Sequence, residues 1–332
     1  MILRNLKFFF FLLVGIFLLK WVYEVFGGQE SLDLINENKS KLIFIILAHI
    51  PTLYFDSLTW VTLIGKSRLT LTWSFIITWI AQASGKFFPT GTITGEFVRV
   101  YLGIKKGLSP QEASSSVFAD LIVATFSLFL MALLSLIYLA LNNKNFFLGE
   151  YNNYLYYSLF TIFIGCVFFY LFVRKRLARY LIRKIQKKFN FILKKEIVLI
   201  LLKLDYSMYQ LSKKKYIVFK SITLRLLGWI AGAIEIYVFL WVIGIDSTIQ
   251  DVILIEAFSG VIRAIAFFIP AGLGVQELAF VIIGEYVGFS GAVSFSIALG
   301  RRVREILVGI PALIAWGVFF RRSGKKIKGP IR

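Results

Sequence analysis

Long apolar runs, separated by short polar and mostly basic stretches, set the pattern of this chain. The runs over 6–26, 41–63, 110–141, 154–173, 217–244 and 291–320 are each long enough, as helices, to cross a hydrocarbon core of about 30 Å. Two further pairs, 70–88 with 96–104 and 252–269 with 277–287, are interrupted by a Pro-x-Gly break. A helix stops at such a break, because Pro lacks an N–H and Gly loses the most backbone entropy on ordering. The pattern predicts an all-α polytopic membrane protein. Its architecture is six full spans plus two broken, re-entrant hairpins, or seven to eight spans if the hairpins are counted as crossings.

The two breaks are copies of one stretch. Phe88-Pro89-Thr90-Gly91-Thr92-Ile93-Thr94-Gly95-Glu96 is matched by Ile269-Pro270-Ala271-Gly272-Leu273-Gly274-Val275-Gln276-Glu277. Pro89 and Pro270, Glu96 and Glu277, Gly107 and Gly288, Ser109 and Ser290, and Ser115 and Ser296 are each 181 residues apart. At the same offset Asp120 falls opposite Arg301. Broken backbone survives inside a bilayer only where protein buries it or water reaches it. Paired broken helices in corresponding halves point to a transporter's binding site. The expected helix-break residues are therefore Pro89, Gly91, Pro270, Gly272 and Gly274.

Charge sets the expected topology. Basic residues cluster between and after the runs: Lys66 and Arg68, Lys105 and Lys106, a dense set from Arg174 to Lys215, and Arg321 to Lys328. The positive-inside rule puts these in the cytoplasm with both termini, in the inner or plasma membrane. The loop 27–40, with Glu30, Asp33 and Glu37, is expected outside. The first hairpin then enters from the cytoplasm and the second from outside, an inverted repeat. The chain divides into a first transmembrane half, 1–173, with hairpin 70–106. A basic cytoplasmic segment, 174–216, follows. The second half, 217–332, holds hairpin 252–287 and a basic tail. In the middle segment Leu177, Leu181, Ile185, Phe189 and Ile192 recur at helical spacing, which suggests an amphipathic helix on anionic headgroups. A basic loop that only sets topology is the plain alternative.

Composition agrees: 58% of residues are hydrophobic and 17% charged, with a mean hydropathy of +0.77. The net charge of +20 would raise nucleic acid as a partner in a soluble protein. Here the basic residues flank apolar runs, so no nucleic acid is expected. Cys166 is the only cysteine and His49 the only histidine, so a disulfide within the chain and a multi-His metal site are both excluded. No Walker A loop and no Ser-His-Asp set is present, and neither a metal nor a cofactor is expected.

The chemistry must come from charge inside the runs, which is costly there and usually paired or functional. Glu96 and Arg99 are three residues apart, and Asp120 sits halfway along an apolar run. Glu256 and Arg263 are two turns apart on one helix face. Arg301, Arg302, Arg304 and Glu305 interrupt the last run. Arginine binds phosphate bidentately and stays charged. The candidate substrate-binding residues are Glu96, Arg99, Arg263, Glu277, Arg301, Arg302, Arg304 and Glu305, with Asp120 and Glu256 as charge-pair candidates. Internal pairing, for example Asp120 with Arg301, is the competing role. Glu235 is a further deep charge, while Arg225 is expected to reach the cytoplasmic interface.

The motif Pro89-x-Gly-x-x-x-Gly-Glu96-x-x-Arg99, then Gly107-x-Ser109, Pro270-Ala-Gly-Leu-Gly-x-x-Glu277 and the run Arg301–Glu305 resembles the transmembrane, flippase-like region of lysylphosphatidylglycerol synthases. The likeness runs from about Lys41 to Arg322, and the Pro-Ala-Gly-Leu-Gly-x-x-Glu segment is its most specific part. The first copy departs mildly, reading Pro-Thr-Gly where the family often has Pro-Gly-Gly. The chain resembles only the membrane module, without the synthase domain. The resemblance implies translocation of a phospholipid or lipid-linked intermediate, with a synthase or glycosyltransferase as a partner. Two other readings stay open. One is the membrane subunit of an enzyme acting on a lipid or polyprenol-phosphate intermediate, by lipid aminoacylation or glycosyl transfer. The other is an assembly factor docked through 174–216.

Overall fold

Residues 2–65, 69–88, 92–142, 152–188, 195–266 and 269–320 are described by the computed structural model of the chain. They form thirteen α-helices and no strand. In order these are α1 (Ile2–Val25), α2 (Gly28–Glu37), α3 (Ile43–Ile64), α4 (Leu71–Phe87), α5 (Thr92–Lys105), α6 (Pro110–Asn142) and α7 (Asn152–Arg174). Then follow α8 (Leu177–Lys188), α9 (Lys195–Lys213), α10 (Lys215–Val242), α11 (Ile249–Ile265), α12 (Val275–Tyr286) and α13 (Gly291–Phe320).

Among the described residues, four helical stretches are long and apolar enough to cross a membrane: Lys39–Ile64, Pro110–Leu139, Lys215–Val242 and Gly291–Phe320. A fifth arises if Phe10–Val25 and Gly28–Glu37, bent by 81° against each other, count as one span. The six full spans expected from the sequence are matched in part. The apolar stretch of α7, Phe163–Arg174, is shorter than a span. Large apolar side chains such as Phe17, Phe97, Leu141, Ile314 and Val318 stand exposed on the outside of the bundle. So much exposed apolar surface belongs in lipid. The protein is a multi-pass membrane protein.

The stretch 27–40, expected as a loop, is mostly helix. Gly27 adopts a left-handed φ of 70°, which turns the chain sharply, and α2 follows. Gly28, Ser31 and Ile35 form its buried face. Ser31 Oγ donates to the Ala292 carbonyl at 2.7 Å, tying α2 to the start of α13.

The two hairpins, α4 with α5 and α11 with α12, repeat in detail. α5 ends at Lys105 and α12 at Tyr286, and α6 begins at Pro110 and α13 at Gly291; both pairs keep the 181-residue offset. Gly107 and Gly288 have φ of 100° and 99°, a conformation open to glycine. After each, an N–H reaches back to a glycine carbonyl: Leu108 to Gly103 at 3.2 Å and Phe289 to Gly284 at 2.9 Å. The expected start signal of α6 is present as a capping box. Ser109 N–H donates to Glu112 at 2.8 Å, and Glu112 N–H donates to Ser109 Oγ at 3.2 Å. Ser290 caps α13 in the same way, accepting from Val293 N–H at 3.2 Å.

The second break falls at Pro270, Gly272 and Gly274. Pro270–Gly272 make one 3-10 turn, with Ala271, Gly272 and Gly274 at φ of 52°, 61° and 74°. Pro89 and Gly91 lie outside the described residues; α4 ends at Phe87 and α5 begins at Thr92 on either side of them. At 17, 14, 17 and 12 residues, the hairpin helices measure about 25, 21, 25 and 18 Å, each short of a full crossing.

Two apolar cores hold the hairpins. One gathers Ile77, Ile80, Val98 and Leu102 of the first hairpin with Trp60 of α3 and Phe320 of α13. The other gathers Ile255, Phe280 and Val281 of the second hairpin with Ile236 and Leu240 of α10, Phe295 of α13 and Val22 of α1. α3 and α10 pack along each other between them. In the expected basic segment, α9 is not a free surface helix, since Val198 and Met208 are buried. Arg176 Nε donates to Asp205 at 2.8 Å and closes the turn between α7 and α8 onto α9. Phe189, Ile192 and the tail beyond Phe320 lie outside the described residues.

Candidate functional site

Between the two hairpins lies a cavity of about 380 Å³, lined by α3, α4, α5, α6, α10, α11 and α13. Its wall carries Lys86, Arg99, Arg225, Arg263, Arg301 and Arg304 against Asp56, Glu96, Asp120, Glu235, Glu256 and Glu305. Six cations meet six carboxylates, so the cavity is formally neutral. The chain's excess positive charge lies elsewhere. Gly228 and Gly232 of α10 keep the wall thin. A Cβ on them would come within 3.2 Å of Asp56 and 3.1 Å of Glu256.

Most of these charges sit in three networks. The first joins α3, α4, α5, α6 and α10. Arg225 bonds both Asp56 and Asp120, Arg99 pairs with Asp120 at 2.6 Å, and Gln82 Nε2 donates to Asp56 at 2.8 Å. Arg99 also stacks 4.5 Å from the Trp60 ring centroid. Glu96, the expected partner of Arg99, keeps only a 3.6 Å contact with it. This network holds three carboxylates and two guanidiniums.

The second joins α3, α10, α11 and α13. Glu235 takes His49 Nδ1 at 2.9 Å and Arg304 at 2.7 Å, and Arg301 pairs with Glu256 at 2.6 Å. Arg301 lies 5.1 Å from the Phe280 ring centroid. The third joins α4, α12 and α13. Arg302 bridges Glu277 at 2.8 Å and Glu305 at 3.2 Å, and Lys86 reaches Glu305 at 2.5 Å. Arg302 also donates to the Ala271 carbonyl at 3.0 Å, which clamps the broken turn.

Eight of the ten expected charged residues line the cavity, while Arg302 and Glu277 pair with each other and are not on its wall. Asp120 does not pair with Arg301; Arg99 and Arg225 take it, and Glu256 takes Arg301. Arg225 does not reach the interface. It is buried on the cavity wall, because Asp56 and Asp120 satisfy it there more fully than headgroups could. His49 is a satisfied polar group, held by Glu235. Among the described residues Arg263 is the cavity arginine with no carboxylate within 4.0 Å.

Three side chains escaped the sequence reading. Lys86 and Gln82 lie on α4 and face partners on α13 and α3. Gln276 follows the second break, is fully buried, and has no hydrogen-bond partner for either amide atom. An ordinary glutamine beside a motif glutamate carries no signal of its own; its place opposite Gly95 in the repeat is the one clue. Comparison with curated proteins finds no match. The family model described as lysylphosphatidylglycerol synthase TM region matches residues 8–312.

Proposed function

The chain belongs to the lysylphosphatidylglycerol synthase TM region family, and from that premise we propose that it translocates a phospholipid or lipid-linked intermediate between leaflets. The polar headgroup passes through the cavity while the acyl chains stay in the bilayer. The observation that carries this reading is the cavity itself: about 380 Å³, between two broken hairpins, walled by six cations and six carboxylates. A headgroup charge crossing bare hydrocarbon costs several kcal/mol or more. Fixed charges along a cavity replace the water it leaves behind.

The charge is divided unevenly, which supports a headgroup of both signs. The network of Asp56, Glu96 and Asp120 has one carboxylate more than it has arginines. The wall of Arg263, Arg301 and Arg304 has one guanidinium more than Glu235 and Glu256 can neutralise. A phosphate beside an ammonium matches that division. Arg99, Arg301, Arg302 and Arg304 guide the phosphate; Nε and Nη2 of Arg99 and Nη2 of Arg302 have no partner of their own. Glu96 and Glu277 guide the cation, and Glu277 Oε2 is likewise unpartnered. In this reading the hairpins form an inverted pair, and the basic segment from Arg174 keeps the termini cytoplasmic.

The test is headgroup accessibility in proteoliposomes of the purified chain with acyl-labelled fluorescent phospholipids. Phosphatidylethanolamine should move to the quencher-exposed leaflet faster than in protein-free vesicles, and faster than phosphatidylglycerol. Movement of both lipids at the protein-free rate overturns translocation, and equal rates overturn the two-sign preference.

A further inference from the structure

Arg263 and Gln276 both lie beside one glycine, Gly272. A Cβ placed on Gly272 would lie 3.9 Å from Cγ of Arg263 and 4.0 Å from Oε1 of Gln276. Gly272 and Arg263 both line the cavity. Gly272 has a left-handed φ of 61°, so it presents no side chain between them without strain.

Both flanking groups lack partners. Arg263 has no carboxylate in contact among the described residues, although the other five cations on the cavity wall have one. Gln276 is 0% exposed, with Nε2 and Oε1 both unbonded. A buried amide left in this state costs stability, and such groups are rare in folded proteins. Helix α12 begins beside them at Val275, and no side chain caps its first turn at Gly274. Its positive end faces the same break.

We propose that Arg263 and Gln276 form a subsite for one phosphate group, entered from the cavity over Gly272. The guanidinium takes two phosphate oxygens side by side. The amide of Gln276 donates from Nε2 to a third, and its Oε1 accepts a remaining N–H of Arg263. Cγ of Arg263 and Oε1 of Gln276 lie 3.9 and 4.0 Å from one point, and so within about 8 Å of each other; from that Cγ the long arginine stem can carry its guanidinium to an anion that the amide also bonds. A phosphate offers acceptors in the several directions this pair requires. The phosphodiester of a lipid headgroup and free phosphate share that chemistry. The subsite rests on the translocation reading only for the source of the phosphate.

The experiment is calorimetric titration of the purified full chain with dihexanoylphosphatidylethanolamine, with inorganic phosphate, and with dihexanoylglycerol as the phosphate-free control. Wild type should bind a phosphate-bearing probe and not the control. Arg263→Gln should weaken that binding by about tenfold or more, the loss of one charged two-point contact, and Arg263→Lys by less. Gln276→Leu, which keeps the helix and removes the amide, should weaken it as well. Binding of the lipid places the subsite on the lipid path; binding of inorganic phosphate alone supports the subsite and assigns it to the free anion. Unchanged affinity in both Arg263→Gln and Gln276→Leu, or equal binding of dihexanoylglycerol, overturns it. Binding without lipid movement leaves the subsite standing and removes translocation. Lipid movement with unchanged affinity in both variants does the reverse.

Discussion

The hairpin of α4 and α5 and the hairpin of α11 and α12 share their punctuation and differ in their side chains. Both are followed by a left-handed glycine, a serine cap and a long helix, at a fixed offset of 181 residues. At that offset Gly95 faces Gln276, Gln82 faces Arg263 and Asp120 faces Arg301. In the first hairpin a Cβ on Gly95 would meet the Ala81 carbonyl at 2.5 Å, so α4 and α5 lie in close contact. In the second, the matching position holds a whole glutamine side chain. The repeat thus fixes backbone geometry and leaves the polar positions free to take opposite charge. One side of the cavity has spare carboxylate and the other spare guanidinium, which draws them together around a polar space.

The largest effect should come from Asp120, because it holds Arg99 and Arg225 together. Asp120→Ala leaves two buried guanidiniums short of a partner and should cost about 3–5 kcal/mol. Arg301→Ala should cost less, since it strands one carboxylate, Glu256, while Glu235 keeps Arg304 and His49. Thermal unfolding in detergent measures both; equal losses would erase the difference drawn between the two walls. A smaller and more pointed contrast lies at the repeat-matched pair. Gly95→Ala pushes a methyl into backbone and should destabilise by about 1–3 kcal/mol. Gln276→Leu replaces an unsatisfied amide and should be neutral or stabilising. A large loss at Gln276→Leu would mean that its amide already has a structural partner.

The backbone plan was legible in the sequence because its signals are local. Pro270, Gly272 and Gly274 break a helix wherever they occur, and Ser109 and Glu112 cap one. Gly28, Ser31 and Ile35 also carry a helical period, but the acidic residues around them mask it, so the pattern predicts a loop where α2 stands. The partners of buried charges are a different matter. Arg225 meets Asp56 and Asp120, which lie 169 and 105 residues away in the chain. Spacing along one helix places a charge on a face and says nothing about which distant helix covers that face. For this reason the sequence marks which charges lie inside the apolar runs and not which of them pair. Gln276 escaped because an uncharged residue inside a motif becomes notable only once its surroundings are seen to leave it unbonded.

The central claim is that a headgroup passes through the cavity. Ala264 lines that cavity and carries no charge, so a large side chain there adds bulk to the wall without removing a charge pair. The most direct measurement is the proteoliposome assay with Ala264→Trp beside wild type, after both show the same melting temperature. The account predicts that the tryptophan variant moves phosphatidylethanolamine no faster than protein-free vesicles. Movement at the wild-type rate through a filled cavity would contradict it.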